Sequence, residues 1–241
     1  MRLLPVLITL CLASPAWAGE RAVYQMEDGK KMTVEVADDG NSVVRPEGQD
    51  QYGIWRDGHF YLVSREEGAW KVARIEDIAA ALDQVLPPIF KKLFGAAAEK
   101  GNPKSKLTFV PRGMRTIAGH AGRVYAVTGL DETKPKAVSE FVMTDEPALQ
   151  PVGKAVEEFV VGTTVLMAPL IGQVAAEMAS DTRVIFTRGA PLDMGGRFKL
   201  LSFEQVAIPA SAAALPAPPQ TLDQILKEVK TSSPPETKKA E

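Results

Sequence analysis

The chain has 241 residues, 45% of them hydrophobic and 24% charged, and its 28 basic and 30 acidic side chains give a net charge of −2. This length is ample for a core and suits one large domain, because folds rich in β-structure often reach about 200–250 residues without splitting. The charge balance gives no electrostatic case for a nucleic acid or an anionic membrane as partner.

The first 18 residues have the pattern of a cleavable secretory signal peptide. Arg2 precedes an apolar run over 3–12, and the segment ends in the small-residue cleavage site Ala16-Trp17-Ala18. The apolar run is too short to span a bilayer, which needs roughly 20 residues. We therefore expect cleavage after Ala18, export to the periplasm and no transmembrane anchor. The mature chain would carry 27 basic and 30 acidic residues, a net charge of −3.

The only cysteine, Cys11, lies inside the segment predicted to be removed. A lipoprotein signal would place a small residue just before the cysteine, but Leu10 stands there. The mature protein is therefore expected to have no lipid anchor, no disulfide, no thiolate catalysis and no thiolate zinc site.

Two-residue turns between alternating apolar runs fill the N-terminal third of the mature chain. Asp28-Gly29, Asp39-Gly40, Asp57-Gly58 and Glu67-Gly68 tolerate the positive φ values that tight hairpins need. The pattern predicts a β-meander of about six strands over 22–74.

From Ile75 the apolar period changes to between three and four, which predicts an amphipathic helix. Pro87-Pro88 interrupts it, and a second piece follows, ending near Gly95 or Gly101. The later patterns predict strands at 107–110, 115–118, 123–128 and 137–144, helix over 148–178, a strand at 182–187, a hairpin at Gly195-Gly196, and an amphipathic stretch at 222–229.

No sequence motif in the chain indicates a particular chemical reaction. His59 could pair with Asp57 as a general base and its orienting group, but a histidine at a surface turn is the favoured interpretation. His120, between two glycines, is interpreted as a corner residue. No nucleophile elbow or phosphate-binding loop is present. We therefore predict a protein that is not an enzyme, with no catalytic residue, no metal site and no cofactor.

The run over 159–176 contains no charged residue. A transmembrane helix is disfavoured, because it would place the last hairpin across the membrane from the meander. A buried helix packed on the sheet and a helix kinked at Pro169 that covers an apolar cavity both remain open. The second alternative would give a site of lipid size.

Several segments give the mature chain a family likeness: residues 32–36 (MTVEV), 54–62 (IWRDGHFYL), 116–125 (TIAGHAGRVY), 189–192 (GAPL), 196–200 (GRFKL) and Leu215-Pro216. With the order of elements, they make the chain resemble the periplasmic lipoprotein-carrier superfamily of Lol-type half-barrels. Within that architecture it looks most like a group of uncharacterised exported bacterial proteins. Carriers of this type hold acyl chains between a curved sheet and covering helices.

The resemblance implies an α+β, mainly β fold: a curved antiparallel half-barrel of about 10–11 strands, with two helical insertions covering one face. The chain is expected to comprise a signal peptide over 1–18, a single half-barrel domain over 19–218, and a short helix with a disordered tail over 219–241. Eleven residues are expected to line an apolar cavity: Trp55, Ile78, Leu82, Leu86, Phe90, Phe141, Met143, Val160, Leu166, Leu170 and Val174.

Three functional hypotheses follow from these observations. The first is a non-enzymatic periplasmic protein that binds a lipid, an acyl chain or another apolar ligand. The second is an interaction or envelope-sensor module whose helical insertion docks a partner protein, and the third is an unrecognised hydrolase acting through His59 and His120.

Overall fold

The computed structural model describes residues 19–101, 107–130, 134 and 136–232. The predicted signal peptide, its cleavage site and the tail after residue 232 lie outside these residues. The strands of the N-terminal meander are β1 (Gly19–Met26), β2 (Lys31–Ala37), β3 (Ser42–Pro46), β4 (Gln51–Arg56), β5 (His59–Glu66) and β6 (Ala69–Arg74). This confirms the predicted six-stranded meander.

Groups of helices and the remaining strands follow the meander. The helices are α1 (Ile75–Val85), α2 (Pro88–Gly101), α3 (Gln150–Leu166), α4 (Ala168–Ile171), α5 (Gln173–Phe186) and α6 (Leu222–Ser232), with short 3₁₀ turns at Pro147–Leu149 and Ala210–Ala213. The strands are β7 (Thr108–Ile117), β8 (His120–Thr128), β9 (Ser139–Thr144), β10 (Ala190–Met194) and β11 (Phe198–Gln205).

All eleven strands join one curved antiparallel sheet in the order β6-β5-β4-β3-β2-β1-β11-β10-β9-β8-β7. Within the described residues β6 and β7 are the two edges, so the sheet is open. The predicted α+β, mainly β fold with about 10–11 curved antiparallel strands is therefore confirmed.

The hairpin turns have the backbone geometry that their sequences predict. Asp57 and Glu67 have φ values of 50° and 49°, and Gly58 and Gly68 follow at 78° and 85°. Two successive positive φ values are typical of the tight turns whose twist matches that of paired strands. Ala118 has φ 51° and precedes Gly119 at 87°, so the predicted corner beside His120 is the β7–β8 turn.

The main core lies between the sheet and α3. Ala22, Tyr24 and Val34 are fully buried and belong to one apolar cluster with Val152 and Val156 of α3. The Tyr24 hydroxyl donates a hydrogen bond of 3.1 Å to the carbonyl oxygen of Pro191. Because β10 and β11 share the single residue pair Asp193–Lys199, this bond adds a link between β10 and the meander.

The opposite face of the meander is covered by the chain that follows β11. Val43, Ile54 and Val63 form a buried cluster with Ala213, and Leu215 packs against it. Beyond this segment the Gln220 amide donates a hydrogen bond of 2.8 Å to Val72 of the edge strand β6. The C-terminal segment therefore closes one face of the sheet before α6 begins.

Two predictions of individual strands were wrong. Residues 182–186 form the end of α5 instead of a strand, because Ala175, Ala179 and Ile185 of this helix are buried, and this burial outweighs the β-propensity of the segment. The two strands expected at 107–110 and 115–118 are the single strand β7, whose bulge lies between Pro111 and Gly113.

The uncharged run over 159–176 is divided among three helices instead of forming one kinked helix. α3 ends at Leu166, α4 covers Ala168–Ile171, and α5 begins at Gln173. Gly172 has φ 58° and ψ −131° and separates α4 from α5. No helix in the described parts of the chain is long and apolar enough to cross a membrane.

Candidate functional site

The helical layer has a fixed inner part and an outer part that rests on it. α3 contacts β1 to β5 and β10, whereas α2 contacts mainly α4 and α5. α1 packs against α3, α4 and α6. α2 therefore rests mainly on other helices and not on the sheet.

Two glycines let α3 approach the sheet closely. A Cβ on Gly153 would lie 2.8 Å from the Cα of Ala190, and a Cβ on Gly162 would lie 2.8 Å from the Phe60 ring. The rings of Phe60 and Phe159 meet edge to face with their centroids 6.1 Å apart. The first part of the uncharged run is therefore a packed core helix, because nothing larger than hydrogen fits at these positions.

α2 carries an apolar stripe that the described part of the protein leaves open. Ile89 and Leu93 are 72% and 63% exposed, and Phe90 and Phe94 are 46% and 45% exposed. Single exposed apolar residues are ordinary, but a contiguous group of large ones marks a binding or interaction surface. We call these four residues the α2 stripe.

The α2 stripe has two ridges. At 100° per residue, Ile89 and Leu93 lie within about 40° of each other, with Lys92 beside them. Phe90 and Phe94 form the second ridge, which is less exposed than the first, and their rings stack with centroids 6.3 Å apart. The isoleucine-leucine ridge faces outward, and the phenylalanine ridge is half covered.

More apolar side chains lie on or next to the helices near α2. Met167, just before α4, is 43% exposed, and Met178 of α5 is 48% exposed. Leu86 and Leu170 are half-buried on the α1 and α4 side. Methionine adapts its shape to irregular apolar partners. The surroundings of α2 could therefore accept a flexible apolar ligand with little rearrangement of the core.

The structure brings only part of the predicted cavity lining together. Leu82, Leu86, Phe90, Leu166 and Leu170 lie on or beside the contacting helices α1, α2, α3 and α4. Val160 is half-buried against the main core, and Val174 is buried near the start of α5.

Four predicted residues lie away from this group. Trp55 pairs with Phe60 across β4 and β5, and Ile78 packs in the cluster between α1 and α6. Phe141 and Met143 are buried in another cluster with Ile185 of α5. Sequence reasoning missed Ile89, Leu93 and Phe94, although the adjacent lysines and the Pro87-Pro88 break signal a helix that need not continue the face of α1.

A separate cleft lies between the edge of the meander and α6. It has a volume of about 180 Å³ and its lining includes Leu62, Ala73, Ile78 and Ile225. Ligand pockets usually measure about 300–1,000 Å³, so this cleft is small for an acyl chain. Lys71 sits at this cleft, with its Nζ 2.6 Å from a Glu66 oxygen and 2.8 Å from a Glu228 oxygen.

The Lys71–Glu228 pair should make the attachment of α6 depend on pH. The hydrogen bond from Lys71 holds the pKa of Glu228 below its ordinary value of 4.5. The stabilising contribution of the Lys71–Glu228 pair is therefore complete above pH 4.5. It is lost as the pH falls through the lower pKa that Glu228 has in the folded protein. Because both side chains are substantially exposed, the effect is about 0.2–1 kcal/mol.

We expect the hydrogen-exchange protection factors of α6 amides to fall about two- to fivefold on acidification. Glu228→Gln should show the lower protection already at neutral pH and little further change. An unchanged pH response in Glu228→Gln would show that other carboxylates control α6.

The His120 side chain contacts Glu146 and Phe203. Its Nδ1 lies 2.7 Å from Glu146 Oε2, and the Ala121 amide donates to the other oxygen of Glu146 at 3.1 Å. The imidazole also meets the Phe203 ring edge to face at 5.3 Å. This arrangement fastens the β7–β8 turn to the loop that precedes α3.

His59 lies at the start of β5 and contacts the Tyr61 ring edge to face at 6.3 Å. Among the residues whose positions are described, no group of three or more histidine, cysteine, aspartate or glutamate side chains is placed to hold a metal ion.

The structure defines an α+β protein with one open eleven-stranded antiparallel sheet and a layer of helices over it. No protein-family model and no curated protein matches the sequence. One solved structure that resembles it, described as the crystal structure of MucB, has a TM-score of 0.33 and 16% sequence identity.

The alignment with that structure covers 83% of this chain and 57% of the MucB chain. A likeness of this strength assigns neither family nor function. The resemblance to Lol-type half-barrels therefore stays a prediction.

Proposed function

We propose that the protein is an exported, non-enzymatic binding protein that holds an acyl chain or a similar apolar ligand against the inner side of α2. The observation that carries this proposal is the phenylalanine ridge, Phe90 and Phe94, left half exposed on a helix that packs on α4 and α5. Covering large apolar side chains is favourable by about 25 cal/mol per Å² of apolar surface removed from water.

The contacts of α2 support a role as the movable cover. α2 rests on α4 and α5, and its ion pair to α1 is the Lys91–Asp83 contact of 2.7 Å. α3, in contrast, is seated on Phe60 and Ala190 through Gly162 and Gly153. A ligand would therefore enter by displacing α2 and not by lifting α3 from the sheet.

The ligand would lie between Phe90 and Phe94 on one side and Leu86 and Leu170 on the other. This site retains Leu86, Phe90 and Leu170 from the predicted lining and adds Phe94. The proposal places Phe141 and Met143 outside the site, in the packed cluster around Ile185.

Titration with a fluorescent long-chain fatty acid tests the proposal. We expect saturable uptake by the exported protein and at least about tenfold weaker uptake by Phe90→Ser/Phe94→Ser. The reason is that burial of one large apolar side chain contributes about 1.5–3 kcal/mol, and 1.4 kcal/mol corresponds to a factor of ten.

Val138→Ser is the matched control, because Val138 is 60% exposed and precedes β9, away from α2 in the sequence. It should bind as the unaltered protein does. Absence of uptake, or equal weakening by the control, would contradict the proposal. If the helical layer instead docks a partner protein, neither the unaltered protein nor Phe90→Ser/Phe94→Ser would take up the fatty acid. The unaltered protein would form crosslinks to the partner, and the double variant would lose them.

A further inference from the structure

A ligand on the inner side of α2 does not explain why the outward ridge of this helix is apolar and exposed. Ile89 and Leu93 are the more exposed members of the α2 stripe, at 72% and 63%. They are separated by four residues and so stand one above the other on a helix. A ligand held against Phe90 and Phe94 would leave them in water.

The charge of α2 differs in sign from that of the remaining mature chain. Residues 88–101 contain three lysines and one glutamate, a net charge of +2, so the mature total of −3 leaves −5 for everything else. Lys92 is exposed beside Ile89 and Leu93, whereas Lys91 is paired with Asp83 on the inner side. The outward ridge therefore combines two exposed apolar side chains with one exposed lysine.

A helix with exposed leucine-type residues bordered by lysine has the features of one that lies in a membrane interface. Such helices bury their apolar side about 5–10 Å into the boundary between headgroups and acyl chains, and lysine attracts anionic lipid. On an anionic bilayer Lys92 would meet the negatively charged headgroups while Ile89 and Leu93 enter the interface.

We infer that α2 docks the protein on the surface of an anionic lipid bilayer through Ile89, Leu93 and Lys92. This inference rests on the proposed function in one respect: the bilayer is the source or the destination of the apolar ligand held beneath the same helix. Contact through the outward ridge does not require Phe90 or Phe94. One face of α2 meets the membrane, and the other meets the ligand.

Vesicle flotation tests the inference with phosphatidylglycerol-containing vesicles and pure phosphatidylcholine vesicles. We expect the exported protein to float with the anionic vesicles. Ile89→Ser/Leu93→Ser should reduce this binding at least about tenfold, because it removes two side chains that would enter the interface. Lys92→Glu should reduce it about five- to thirtyfold on anionic vesicles, since it reverses one charge near the surface.

Two controls separate docking from general effects. Val138→Ser changes an exposed apolar residue elsewhere, and Lys199→Glu reverses an exposed charge on β11. Both should float as the unaltered protein does. All variants alter exposed positions, so equal melting temperatures check that the fold is intact.

Failure of this inference is distinguishable from failure of the proposed function. Fatty-acid uptake without flotation would overturn membrane docking and leave ligand binding standing. Flotation that is equal in all variants would also overturn it. Concentration-dependent dimerisation that Ile89→Ser/Leu93→Ser abolishes, without any vesicle binding, would assign the ridge to a second copy and overturn the inference as well.

Discussion

Gly189→Ala is expected to destabilise the protein by about 3–5 kcal/mol, more than most single substitutions do. Gly189 joins α5 to β10 with φ 116°, and a Cβ there would lie 2.1 Å from the carbonyl oxygen of Thr144. The neighbouring atoms are backbone, so no side-chain rotation relieves the clash. The free energy of unfolding, measured with urea, should fall accordingly.

Gly40→Ala is the matched control for the backbone conformation alone. Gly40 has φ 79°, and no atom lies within 4 Å of an added Cβ. The loss should be about 1–2 kcal/mol, which is the cost of a left-handed conformation for an L-residue. Equal losses in the two variants would mean that β9 and the start of β10 are not as close as described.

Phe60→Ala should cost about 3–5 kcal/mol, because it removes a buried ring that supports α3 and leaves a cavity. Phe60 is 3% exposed and contacts both Phe159 and the backbone at Gly162. Its loss would loosen α3 from β4 and β5. Urea unfolding followed by tryptophan fluorescence measures the effect.

Gly162→Ala examines the same contact from the helix side. Alanine is favoured over glycine inside a helix by about 1 kcal/mol, yet its Cβ would press on the Phe60 ring. We expect net destabilisation in the unaltered protein and a smaller loss in a Phe60→Leu background. If Gly162→Ala is stabilising in both backgrounds, α3 is not seated on Phe60 and could itself be a mobile cover.

Local sequence signals sufficed for the meander and for α1. The turns at Asp57-Gly58 and Glu67-Gly68 require positive φ values, and they define strands whose alternation is unambiguous. The Pro87-Pro88 break also ended α1 where expected, since α2 starts at Pro88. These features depend on residues close together in the chain.

The prediction of a strand at 182–187 was wrong because the contacts that determine its conformation are made with residues distant in the sequence. The valine, isoleucine and phenylalanine of this segment favour a strand locally, but Ile185 packs against Phe141 and Met143 of β9 as part of a helix. Tertiary burial therefore outweighed intrinsic propensity.

For the same reason, the candidate site could be predicted only in part from the sequence. Apolar spacing placed Leu82, Leu86 and Phe90 on helices, but it could not tell that α2 rests on other helices and leaves Ile89 and Leu93 in water. Phe141 and Met143 alternate correctly for an inward face, yet α5 fills the space beside them. Which apolar residues stay uncovered depends on how the helices stack.

Native mass spectrometry of protein recovered gently from the periplasm tests the central claim that α2 covers an apolar ligand. The account predicts an added mass corresponding to an acyl lipid on the unaltered protein, and its loss from Phe90→Ser/Phe94→Ser with an unchanged melting temperature. Repeated recovery of ligand-free protein that also takes up no fluorescent fatty acid would contradict the claim.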